Sequence, residues 1–64
     1  MTAGEKLKKA RERTGLSEDQ LARRMYIGPK YILDVEAGKV QPTRGMLGMM
    51  EKILNCKPGE LDGD

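Results

Sequence analysis

The sequence has no histidine, no tryptophan and no phenylalanine, and only one cysteine, Cys56. Without histidine it lacks the commonest general base and the commonest neutral metal ligand. One thiol can neither close an internal disulfide nor complete a cysteine zinc site. Ser17 has no partner residue type that would activate it, and no glycine-rich loop matches a phosphate cradle, so no catalytic residue, cofactor or metal is expected. Apolar runs are short, well below the roughly 18 residues a membrane span needs. The basic stretch Lys6–Arg13 leads into Gly15 and polar residues rather than an apolar segment, unlike a secretory leader. These absences point to an intracellular protein that is not an enzyme.

What is present is a short, charged, helix-forming chain. Its 64 residues suit one domain spanning 1–64, and at this size a fold buries only about 60% of the surface its unfolded chain exposes. Apolar residues make up 38% and charged ones 34%, enough to build a thin core. The net charge of +2 is unevenly placed: residues 1–50 hold ten Lys or Arg against six Asp or Glu, and residues 51–64 two against four. A basic body with an acidic end suits a nucleic-acid partner, although a solvated surface accounts for any one lysine.

Capping signals divide the chain. Thr2 with Glu5 forms a capping box opening a helix over about 3–14, with Leu7 and Ala10 inward, and Gly15 offers the left-handed stop. Ser17 with Gln20 opens a second helix. Leu16 and Leu21 staple its start, Leu21, Ala22 and Met25 form its buried stripe, and it ends near Met25. Tyr26-Ile27-Gly28 breaks the pattern. Pro29 fits the first position of a third helix, with Ile32 and Val35 inward and Gly38 stopping it near Ala37. After the loop Lys39–Pro42, Thr43 caps a fourth helix with stripe Met46/Leu47, Met50 and Ile53/Leu54, closing at Asn55. Pro58–Leu61 can add one turn that lays Leu61 on the core. The methionines suit an irregular core without large aromatics, with Met49 between stripes and exposed. The expected fold is all-α, a bundle of four to five helices.

Two short helices joined by a three-residue turn form a helix-turn-helix, here over about 17–37. Ala22 is small enough for a close crossing, while Leu21, Ile32 and Val35 bind the pair together. The outer face of the second helix of the pair is then free.

The run Gly15-Leu16-Ser17-x-x-x-Leu21-Ala22, followed by Ile32, Glu36, Gly38-Lys39, Pro42 and Leu47, resembles the lambda-repressor/Cro-like helix-turn-helix family over nearly the whole chain. Within that family, Pro29, Ile32, Asp34, Glu36-x-Gly38, Pro42, Leu47-Gly48 and Glu51 are most similar to the helix-turn-helix domain of multiprotein bridging factors. The first resemblance implies a five-helix DNA-binding domain that regulates transcription, with Arg11 and Glu36 as a structural salt bridge. The second implies a coactivator working through protein contacts, linking a DNA-bound activator to the TATA-binding protein. Bridging factors also carry a separate N-terminal region, so an excised domain or a short relative is expected. An antitoxin is a third class.

The expected partners are double-stranded DNA and transcription-machinery proteins, with the chain a monomer or weak homodimer. Lys30 and Tyr31 would face base edges, with Asp34 one turn on, where it could accept from a cytosine amino group. Lys39 and Arg44 would hold phosphates, with Arg11 a further phosphate candidate and Ser17 a further nucleic-acid-binding residue. The sequence departs from repressors at Glu18, where a glutamine is usual and a carboxylate repels phosphate. Tyr26 and Asn55 stand where glycines are common.

Overall fold

The computed structural model describes residues 1–62; Gly63 and Asp64, the end of the expected domain, lie outside the described residues. Four α-helices follow one another: α1 Ala3–Thr14, α2 Glu18–Arg24, α3 Pro29–Glu36 and α4 Arg44–Ile53. No strand occurs among the described residues, and no helix is long and apolar enough to cross a membrane. The last element, at Pro58–Leu61, is a turn rather than the fifth helix of the family pattern.

The starts of the helices follow from side-chain chemistry. Thr2 accepts from the Glu5 backbone N–H while the Glu5 carboxylate accepts from the Thr2 N–H, at 3.2 and 2.9 Å. Ser17 and Gln20 repeat the arrangement at α2, and Thr43 accepts from the Met46 N–H at α4. Pro29 starts α3, where a missing N–H costs nothing.

All four ends close by one device. A left-handed residue turns the chain back, and the next N–H reaches the carbonyl five residues earlier. The left-handed residues are Gly15, Tyr26, Gly38 and Asn55, and the returning bonds are Leu16 to Arg11, Ile27 to Ala22, Lys39 to Asp34 and Cys56 to Glu51. Tyr26 is the anomaly. A bulky aromatic at φ 59° is strained, and at 95% exposed its ring gains little packing in return.

Leu7, Leu21, Ala22, Ile32, Val35, Met50, Leu54 and Leu61 are buried at the centre, and Leu16, Ile27, Tyr31 and Met46 pack partly against them. Fully burying each leucine or isoleucine contributes about 1.5–3 kcal/mol. Met49 is exposed, as its place between stripes predicts.

Two structural features escape a reading of periodicity. A Cβ on Gly4 would lie 2.2 Å from the carbonyl oxygen of Val35, so α1 touches the end of α3 backbone to backbone. Glu51 is buried in α4, where its carboxylate accepts from the Leu61 N–H at 3.1 Å and ties the final turn to the core.

Candidate nucleic-acid interface

Ala22 is fully buried in α2, which packs against α3, and a small side chain there suits a close crossing. With Ile32 and Val35 0–1% exposed, the opposite side of α3 is turned to solvent. That outward stripe runs Lys30, Leu33, Asp34 and Ala37, spaced three and four residues apart. Lys30 donates to Asp34 at 2.9 Å, an i,i+4 pair with side chains 86% and 22% exposed. Leu33 is 47% exposed.

The chain is pinned at both ends of α3. Before it, Tyr26 and Ile27 donate back to Arg23 and Ala22 at 3.1 and 3.0 Å. After it, the Lys39 N–H donates to the Asp34 carbonyl at 2.8 Å and the Gly38 N–H to Val35 at 3.1 Å. The Lys39 side chain is therefore launched from a fixed backbone immediately past the helix. Arg44, first residue of α4, follows the Thr43 cap and is exposed, as is Arg24 at the end of α2. No salt bridge engages Lys39, Arg44 or Arg24 among the described residues.

The remaining candidates separate into two groups. Ser17 is exposed, and its oxygen accepts from Gln20, which leaves its hydroxyl proton free to donate. Glu18 and Asp19 follow directly, with Asp19 paired to Arg23 at 3.0 Å. Tyr31 leans on the core and is half-buried, so Leu33 is the larger apolar group on the outward side. Leu33 and Arg24 were not singled out from the sequence, although Leu33 stands three residues from Lys30 and off the Ile32/Val35 face, a signal that was available.

Arg11 is committed inside the fold. Its Nε donates to Glu36 at 2.7 Å, one terminal nitrogen to the other Glu36 oxygen at 3.1 Å, and the other to the Leu16 carbonyl at 2.8 Å. Arg11 and Glu36 thus pair within the fold, and Arg11 leaves the phosphate candidates, because each guanidinium nitrogen is engaged and its side chain is only 11% exposed. The hydrogen bond to Glu36 holds the guanidinium above its ordinary pKa; partial burial opposes this, and the charges of Glu36, Glu18 and Glu12 add to it. Glu18 itself is half-buried at the start of α2.

Elsewhere, Cys56 is half-buried, and desolvation first, then the Glu60 charge, raises its thiol pKa above the ordinary value. Among the described residues no three His, Cys, Asp or Glu side chains come together as a metal site would need.

These elements, in this order, are matched by the helix-turn-helix family over residues 7–61. The chain belongs to that family, whose fold is the fold of DNA-binding regulators. It is similar to the restriction-modification controller protein C.AhdI from Aeromonas hydrophila, with TM-score 0.85 and 27% identity over 92% of this chain and 86% of that one. It is also 32% identical over 56 residues to a putative multi-protein-binding factor 1 of Yarrowia lipolytica, covering 88% of this chain and 37% of that protein. To multiprotein-bridging factor 1 of Debaryomyces hansenii it is 33% identical over 57 residues, covering 89% and 38%. The chain thus spans well under half the length of these two relatives.

Proposed function

We propose that this chain is a DNA-binding transcriptional regulator that lays the outward stripe of α3 in the major groove. The observation that carries this is the free stripe itself, held on a rigid α2–α3 pair, with the exposed Lys39, in no salt bridge among the described residues, fixed at its end. In this reading Lys30 donates to guanine acceptors in the groove, and Asp34 accepts from a cytosine amino group. Tyr31 offers its exposed edge beside them. Lys39 and Arg44 hold phosphates, with Ser17 donating its hydroxyl to the backbone.

A second reading has its own support. Lys30 is partly neutralised by Asp34, and Glu18 and Asp19 open α2, so positive charge is reduced where phosphate would approach. The two fungal relatives are named for binding or bridging proteins. In that reading the same domain is a coactivator surface that meets transcription-machinery proteins.

Duplex selection followed by a salt titration of the selected and a random duplex separates the two. The regulator binds a preferred sequence, and log K falls linearly with log salt. Lys39→Ala and Arg44→Ala each lower that slope by about 1. No binding to any duplex at low salt would overturn the regulator and leave the bridging surface.

A further inference from the structure

The outward stripe of α3 holds one large side chain with no polar atom. Leu33 is 47% exposed, while the polar members beside it, Lys30 and Asp34, already hold each other at 2.9 Å. Ala37, four residues further along, is also exposed and apolar. A single exposed leucine needs no explanation on an ordinary surface. On a helix face that enters a groove it must exclude water from whatever it meets. The major groove offers one apolar feature, the C5-methyl group of thymine.

We propose that Leu33 is a specificity-determining residue that packs against the C5-methyl of a thymine, so that α3 selects sites with a thymine at one defined position. The inference rests on α3 reading DNA, and it assigns a role to a residue placed by its exposure and spacing alone. Lys30 and Asp34 then discriminate by hydrogen bonds, and Leu33 by shape and dryness. The leucine cannot distinguish thymine from 5-methylcytosine by the methyl group itself, a signature that a hydrogen-bonding residue would not share.

The test uses the full chain and the duplex it selects. Each thymine is replaced in turn by deoxyuridine, which removes the methyl group and leaves every hydrogen-bonding edge intact. Affinities are read by fluorescence anisotropy for the wild type, Leu33→Ala and the conservative Leu33→Met. At one position deoxyuridine should weaken the wild type about 4-fold, the worth of one buried methyl group. The same replacement should leave Leu33→Ala unchanged and weaken Leu33→Met nearly as much as wild type. Placing 5-methylcytosine opposite guanine at that position should recover more affinity than unmodified cytosine, in the wild type only.

If the wild type selects a sequence but no thymine methyl matters to it, or if the methyl matters equally to Leu33→Ala, the role of Leu33 is overturned while DNA reading by α3 stands. If no duplex is bound at all, both fall. Thermal melts of the variants guard against misfolding; the exposed position should keep both near the wild-type midpoint.

Discussion

Helix α3 takes part in two ion pairs that share their chemistry and differ in everything else. On its inner side Glu36 receives two hydrogen bonds from Arg11 of α1, with side chains 5% and 11% exposed. On its outer side Asp34 receives one from Lys30, four residues earlier on the same helix. The inner pair joins elements 25 residues apart and is completed by the Leu16 carbonyl, so neither charge is left without a partner. The outer pair is solvated, and exposed pairs of this kind contribute about 0–1 kcal/mol. A guanidinium with a planar fork suits the first site, and a mobile ammonium that can exchange its partner suits the second. One pair fastens the fold, and the other lies open to solvent.

The sharpest way to break this contrast is to remove one cation from each pair. Arg11→Met leaves Glu36 buried without its cation, and denaturant unfolding should show a loss of about 3–4 kcal/mol. Adding Glu36→Leu should restore much of it. Lys30→Ala should stay within about 0.5 kcal/mol of wild type. Equal losses from the two single variants would erase the distinction between the pairs.

The backbone contact on the inner side gives a second contrast. Gly4→Ala drives a methyl group into the Val35 carbonyl and should cost about 2–3 kcal/mol. Gly48→Ala, in α4 with open space around its Cβ position, should gain about 0.5–1 kcal/mol. A tolerated Gly4→Ala would mean that α1 and α3 are not in close contact there.

At the turn between α2 and α3, Tyr26→Gly relieves a left-handed aromatic and should stabilise by about 1 kcal/mol, visible as a higher melting temperature. A lower melting temperature would show that the exposed ring supports the fold.

The smallest effect concerns acid. Glu5 is held below its ordinary pKa chiefly by the Thr2 backbone N–H, and Glu60 by the Lys57 backbone N–H and then by Arg13. A folded pKa below the unfolded one means that the stabilisation is complete above the unfolded value of about 4.5. It is lost as the pH falls from there through the folded values. Glu5→Gln with Glu60→Gln should flatten the pH dependence of the melting temperature below pH 4.5. An unchanged acid limb would place the sensitive carboxylates elsewhere.

Much of this arrangement was legible because helix ends obey local rules. Thr2, Ser17 and Thr43 announce starts, Pro29 can only be tolerated early, and Gly15, Gly38 and Asn55 suit left-handed stops. The Arg11–Glu36 pair spans 25 residues and came from family resemblance; that an anion at a helix C-terminus needs a cation agrees with it. Gly4 and Glu51 were not legible. Gly4 reads as a weak helix residue until another backbone is brought against it, and Glu51 reads as a solvated charge until Leu61 folds over it. Periodicity also located the inner face of α3 without showing that Tyr31 would lean inward, which shifts attention on the outer face to Leu33.

The central claim, that the outer face of α3 reads DNA, is tested most directly by the ratio of affinities for the selected and a random duplex in two variants. If Lys30 contacts a base as proposed, Lys30→Ala should reduce that ratio by about 1–3 kcal/mol. If Lys39 holds a phosphate, Lys39→Ala should weaken both duplexes about equally, leaving the ratio unchanged. If both variants keep wild-type affinity for both duplexes, the reading face is idle and the claim is contradicted.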